Sequence, residues 1–268
     1  MIAAIEELRY MESAPNSLSG VQHIHDKSYE ILFVIEGEGS MLIGNNLFPV
    51  ARNTVFLTSK MEIHNITPTS EKYVRNIINL NGAYVEELAL LTGSDTFIRE
   101  LFARRCIRLS DEEGVILKNH FSSIYNARKG AKNGITLLQN VLSLFELLAN
   151  TSFDSVSSLN NSVSKAVAFI DKNLKEELTL GMISDYVHLS KFHFSRIFRE
   201  TTGMSPFRYI TECRITKAKN LLAYTEESIF NIAEEVGFNT SSNFCNLFQK
   251  YEGISPSAFR ALHQKHTG

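Results

Sequence analysis

Two stretches near the C-terminal end share one pattern of apolar and polar positions. Phe194, Phe198, Gly203, Ser205, Pro206 and Tyr209 recur 50 residues later as Phe244, Phe248, Gly253, Ser255, Pro256 and Phe259. Each phenylalanine pair, spaced i, i+4, marks the buried side of a short helix. The glycine stops that helix by taking the left-handed cap conformation. Ser-Pro then starts the next one, with serine as cap and proline in the first turn, where an N–H has no partner to lose. Repetition at a fixed period points to duplicated supersecondary units.

The opposite faces of these helices carry the chemistry. At about 100° per residue, the side away from Phe194 and Phe198 presents Phe192, Ser195, Arg196 and Arg199. An outward phenylalanine beside two arginines suits the DNA major groove, where arginine bonds guanine and an apolar ring meets a thymine methyl. The second copy turns out Ser242, Cys245, Asn246 and Gln249, and asparagine and glutamine can bond adenine through two atoms. The bland alternative is a pair of amphipathic helices with solvated polar faces. Shared punctuation weighs against it. Ile183-Ser184 and Val187-His188-Leu189 precede the first helix, and Ile232-Ala233 and Val236-Gly237-Phe238 the second. Each set reads as a short helix, a tight turn and a second helix, with the second turn one residue longer. Gly237 accepts positive φ freely; His188, at the matching place, belongs to a type enriched there among non-glycine residues.

Residues 163–263 resemble the AraC/XylS-type DNA-binding domain. The resemblance rests on Arg214 and Ala218 with Leu221-Leu222, on Ile229 to Phe238, and on Phe244, Phe248 and Gly253-Ile254-Ser255-Pro256 to Arg260. It implies seven helices, with a long central connector over Pro206 to Ala223. It also implies base contacts at Phe192, Ser195 and Arg196 and at Ser242, Asn243 and Asn246. Two positions depart from the family's habit. Asn246 stands where a basic residue is common, and Ser184 where alanine is.

Between Val21 and Leu80 the pattern changes to short β-rich runs. Glu30 to Ile35, Ser40 to Ile43, Leu47 to Val50 and Thr54 to Leu57 are separated by Gly37-Glu38-Gly39 and Gly44-Asn45-Asn46. Short strands with such turns predict a small barrel or jelly roll. Within them, His23, His25, Glu30 and Gly37, followed by a distant His64, resemble the cupin motifs. Asn53 stands where the second motif has glycine, and no proline precedes His64. Alternation puts His23 and His25 on one side of a strand, so Glu30 and His64 could join them inside a barrel. Three imidazoles and a carboxylate could hold a divalent metal. The stronger reading is that the same residues form a buried hydrogen-bonded network or bind a small ligand's polar groups, a common use of barrel mouths.

From Ala83 to Ala149 the periodicity is helical. Asp111-Glu112-Glu113 opens one helix, acids suiting the positive end of the dipole. Ile135 to Ala149 is another, with a broad stripe of Leu137, Leu138, Val141, Leu144, Phe145 and Leu148. That stripe packs either on its own barrel or on a second subunit. Residues 1–20 have no clear pattern; the resemblance implies an arm. Thr151 to Asn161, rich in Ser and Asn, reads as a linker, and Ser162 is expected to cap the helix that follows.

The expected architecture is therefore α+β in two domains. A cupin-like β-barrel with helices spans residues 1–150, a linker 151–161, and an all-α domain with two helix-turn-helix units 162–268. The length of 268 residues and 44% hydrophobic content suffice for both cores. Net charge is −2 overall, +2 for residues 162–268 and −4 for 1–161. Affinity for DNA should then rest on local contacts rather than on a basic field. Cys106, Cys213 and Cys245 form no CxxC pair, which excludes a thiolate zinc knuckle and fits a reducing cytoplasm. No run is long and apolar enough to span a bilayer, and the start has acids where a secretory signal needs an apolar core. The reading is a cytoplasmic, non-enzymatic transcription regulator that binds double-stranded promoter DNA. The resemblance implies control by a small-molecule effector, a homodimer and work with RNA polymerase, and it favours activation. The competing reading is a metal-dependent cupin enzyme carrying a DNA-binding module, which would need an open metal position.

Overall fold

The computed structural model describes residues 5–13, 28–93, 95–129, 134–151, 159 and 161–264. The chain divides into two compact units that change over between Leu159 and Asn160.

The first unit opens with seven strands: β1 (Ile5–Ser13), β2 (Ser28–Glu36), β3 (Gly39–Ile43), β4 (Asn46–Val50), β5 (Thr54–Thr58), β6 (His64–Pro68) and β7 (Tyr73–Asn81). Helices α1 (Gly82–Thr92) and α2 (Asp95–Ala103), strand β8 (Cys106–Arg108), and helices α3 (Asp111–Lys129) and α4 (Gly134–Asn150) follow. One sheet runs β1-β7-β2-β5-β8 and the other β4-β3-β6. Side chains alternate along β2. Leu32 and Val34 join Met41, Ile43, Phe48, Phe56 and Ile66 in a core shared by both sheets. Ile31 and Phe33 turn the other way, to Leu117, Phe121, Val141, Leu144 and Phe145 of the helices. A strand covered on both faces reads as a continuous apolar run, which is why Glu30 to Ile35 shows no alternation in sequence.

The α4 stripe packs on this unit's own core: Val141, Leu144, Phe145 and Leu148 are all buried there. Asp111, Glu112 and Glu113 occupy the first turn of α3, as expected.

Three expectations need correction. Residues 5–13, read as patternless, form β1, which pairs antiparallel with β7 from Ile5 opposite Leu80 to Ser13 opposite Tyr73. The region read as wholly helical is interrupted by β8, three residues that close the sheet edge against β5. Ser162 is not the cap of the next helix. Asn161 is: its side chain accepts from Ser164 N–H, and the Ser164 hydroxyl accepts from Asn161 N–H in return.

Among the described residues the second unit holds seven helices: α5 (Ser162–Lys172), α6 (Leu180–Tyr186), α7 (Lys191–Thr202), α8 (Pro206–Tyr224), α9 (Ile229–Glu235), α10 (Ser241–Glu252) and α11 (Pro256–Gln264). Helices α6–α7 and α9–α10 are the two helix-turn-helix units, with α8 between them. Arg214 of α8 crosses to the segment after α5, donating to the Leu174 carbonyl (3.1 Å) and the Glu176 carbonyl (2.8 Å). It also lies 5.7 Å from the ring of Phe238 in the second turn.

Candidate DNA-reading helices and sensor interior

The second helix of each helix-turn-helix, α7 or α10, is held from behind by an aromatic ladder. Phe194 and Phe198 are fully buried, and Phe198 meets Tyr209 of α8 at 5.6 Å between ring centroids. In the second unit Phe244 and Phe248 are fully buried and Phe248 meets Phe259 at 5.5 Å. Ser190 and Thr240 cap the two helices, and Gly203 and Gly253 end them at φ 76° and 75°. Both turns make the same closing bond: Leu189 N–H to the Ser184 carbonyl, and Phe238 N–H to the Ala233 carbonyl, each 2.9 Å. His188 takes φ 56° and Gly237 φ 85°. The departure at Ser184 is accommodated, because its buried hydroxyl donates to the Gly181 carbonyl at 3.0 Å.

The outward faces differ between the two units. On α7, Phe192 is 83% exposed. Arg196 and Arg199 are exposed and Ser195 is half-buried. The Arg196 guanidinium is engaged from both ends. Its Nη1 donates to Glu200 Oε1 at 3.3 Å, and its Nη2 lies 3.3 Å from His193 Nδ1. On α10, Ser242, Asn243, Asn246 and Gln249 are exposed and Cys245 is half-buried. Glu235, at the end of α9, is neutralised locally by Lys217 (2.9 Å) and Lys175 (3.2 Å). Those bonds, from Lys217 first, hold its carboxyl below the usual carboxylate range.

In the first unit, strand geometry brings Glu30 and His64 together, with Nε2 to Oε1 at 3.6 Å and both side chains buried. His64 Nδ1–H donates to the Glu62 carbonyl at 3.0 Å. Burial alone pulls the His64 pKa down, but the charge and hydrogen bond of Glu30, with the Glu62 carbonyl, outweigh it and raise the pKa above 6.5. Glu30 pairs in register with Thr58 on β5 and Asn79 on β7, both buried. Arg75, two positions from Ile77 of the intersheet core, is also buried and sits 5.5 Å from the Tyr73 ring centroid. Burial, above all, drives the Tyr73 hydroxyl pKa well up. Thr58, Arg75 and Asn79 carry no local signal in the sequence; strand register sets Thr58 and Asn79 opposite Glu30 and Arg75 opposite Val34.

His23 and His25 lie outside the described residues. Glu30 and His64 are one carboxylate and one imidazole tied to each other. Among the described residues no three His, Cys, Asp or Glu side chains gather in a metal-ligating group. The described donors therefore do not amount to a ligand set for a divalent ion. Asn53, which replaces the motif glycine, takes φ 57° and so adopts the backbone that glycine would supply. All three cysteines are free, and burial pushes the Cys106 and Cys213 thiols up to about 12. Among the described residues no helix is long and apolar enough to cross a membrane.

A two-sheet domain followed by paired helix-turn-helix units defines a class of protein that couples a sensor-like fold to a nucleic-acid reader. Comparison with known proteins gives the family. The AraC-like ligand binding domain matches residues 7–155, and a helix-turn-helix domain matches residues 183–262. The chain belongs to the AraC family of helix-turn-helix transcriptional regulators. It is 25% identical over 246 residues to the HTH-type transcriptional activator Btr of Bacillus subtilis (strain 168), covering 90% of this chain and 45% of that protein. It is 36% identical over 103 residues to the melibiose operon regulatory protein of Escherichia coli (strain K12), covering 38% of this chain and 34% of that one. The chain thus spans under half the length of each. Among solved structures, the C-terminal domain of AraT, a response regulator from Geobacillus stearothermophilus, is 33% identical. The match covers 39% of this chain and 87% of that one, with a TM-score of 0.38.

Proposed function

We propose that the chain is a sequence-specific transcription regulator that reads double-stranded promoter DNA with α7 and α10. On this reading Phe192, Ser195, Arg196 and Arg199 enter one major groove, and Ser242, Asn243 and Asn246 enter the next, about 34 Å along the duplex. The observation that carries the proposal is Phe192. A phenylalanine left 83% exposed beside exposed arginines, on a helix whose other side is locked by buried rings, has no folding role to explain it.

The first unit is the effector sensor. Its interior carries Glu30, His64, Thr58, Arg75 and Asn79 among apolar walls, the mix that a polar small molecule needs for orientation. His23 and His25 belong to the same proposed set. The effector acts by binding one arrangement of the DNA-reading units better than another. The chain works in the cytoplasm as a homodimer, and the relative named as an activator supports activation through RNA polymerase. Exposed Val115, Ile116, Ile135 and Leu142 on α3 and α4 offer apolar surface for a second copy.

The test is selection of a randomised duplex library by the full-length protein at fixed salt. Enrichment of a consensus with two segments about one turn apart supports the reading. Recovery of random sequence, or of no DNA, overturns it.

A further inference from the structure

The two reading helices are built alike from behind but armed differently in front, and the difference centres on Arg196. Its guanidinium is held at both terminal nitrogens by residues of its own helix, Glu200 one turn after it and His193 one turn before it, each at 3.3 Å. The positions 50 residues on are Asn243, Asn246 and Lys250, a set with no carboxylate and no arginine. Of the two helices, α7 has the clamp and α10 does not.

Each terminal nitrogen of an arginine carries two N–H groups. The clamp uses one on each, which leaves one on each for a guanine O6 and N7. A guanidinium has no acceptor, so in this contact His193 Nδ1 is the accepting atom. A free arginine must lose its rotamer freedom when it docks on a base, and a pre-held one has lost much of it already. Meanwhile the Glu200 carboxylate, 59% exposed on its side chain, faces the same solvent as Arg196. There it offsets the positive charge that would otherwise attract any phosphate.

We infer that Glu200, assisted by His193, is a positioning residue that trades non-specific attraction for base discrimination: it aims Arg196 at a guanine and suppresses its attraction to the DNA backbone. This rests on the reading of α7 as a groove-entering helix. Its consequence is a lopsided target. The segment read by α7 is discriminated by a charged, pre-aimed fork. The segment read by α10 is discriminated by neutral amides suited to adenine.

The test uses the full-length protein and the consensus duplex obtained from a randomised library, together with duplexes substituted at each position and a random duplex. Glu200→Ala should lower discrimination at the guanine position by about two- to fivefold, the range of exposed ion pairs. It should also raise affinity for random DNA and steepen the slope of log affinity against log salt by about 1. Glu200→Gln keeps an acceptor without the charge, so it should steepen the slope yet retain most of the guanine preference. A helix-stabilising role alone would move neither base preference nor salt slope. If Arg196→Ala leaves the preferences at every position unchanged, the reading of α7 fails. If Arg196→Ala abolishes a preference that Glu200→Ala leaves intact, the inference about Glu200 is overturned while the reading of α7 stands.

Discussion

Lys219 Nζ lies 3.0 Å from Glu252 Oε2, with the lysine side chain 2% and the glutamate 13% exposed. This ion pair ties the middle of α8 to the end of α10, and the ammonium also sits 5.7 Å from the centre of the Phe259 ring. Removing one partner of a buried pair strands the other's charge. Glu252→Ala should therefore destabilise the helical domain by about 3–5 kcal/mol. Lys219→Met, which leaves an apolar chain of similar volume against Phe259, should cost less. Denaturant melts of the full chain, followed through the helical transition, will rank the two.

Two glycines with similar backbones should respond unequally to alanine. At Gly237 (φ 85°) an added Cβ would fall 2.5 Å from the Leu174 carbonyl oxygen and 2.8 Å from Arg214 Nη2. At Gly253 (φ 75°) it would meet nothing within 4 Å. Left-handed strain alone costs about 1–2 kcal/mol, so Gly253→Ala should fall in that range. Gly237→Ala adds a collision with backbone and should cost about 2–4 kcal/mol. Equal losses in melting experiments would show that the second turn can shift aside.

The Glu30–His64 pair makes stability of the first unit depend on pH. The folded pKa of His64 is raised above 6.5, so the folded state binds the proton more tightly than the unfolded state. The pair's contribution is fully present below pH 6.5 and is lost as pH rises through the folded pKa. The melting temperature of the first unit should fall across that interval in the native chain and change less in His64→Gln. An opposite slope would mean that the buried imidazole is held neutral.

Phe192→Ala should leave the melting curve unchanged, because the ring is 83% exposed and supports no core. It should weaken binding to the consensus duplex by about 1 kcal/mol, and only where a thymine is present. Replacing that thymine by uracil, which lacks the methyl group, should remove the difference between the two proteins in a titration.

The helical unit was largely legible from sequence because its signals are local. Phenylalanine pairs, cap residues and Ser-Pro starts each act within one turn: α7 and α10 stop at Gly203 and Gly253 as expected, and α8 begins at the expected Pro206 and ends at Tyr224, one residue past the expected Ala223. The first unit was harder. Strand β7 reads Tyr-Val-Arg-Asn-Ile-Ile-Asn-Leu-Asn and is buried on both faces over nearly its whole length, so no alternation separates Arg75 and Asn79 from their neighbours. That Asn79 stands opposite Glu30 and Arg75 opposite Val34 depends on strand register, which is a long-range property. Strand β8 is too short to show a period at all. Adjacent Asn161 and Ser162 are both good caps, and only the reciprocal bond with Ser164 singles out Asn161.

Arg214 sets the working character of the reader. By grasping the Leu174 and Glu176 carbonyls while lying against Phe238, it braces the central helix against the entrance of the domain and against the second turn at once. On the proposed reading of α7 and α10, this brace would make the gap between them a property of the protein, to which DNA has to conform. A promoter lengthened by one base pair between the two contacted segments rotates one of them by about 34–36° and displaces it by about 3.4 Å. Bending or twisting of the duplex, rather than give in the protein, would have to absorb that change.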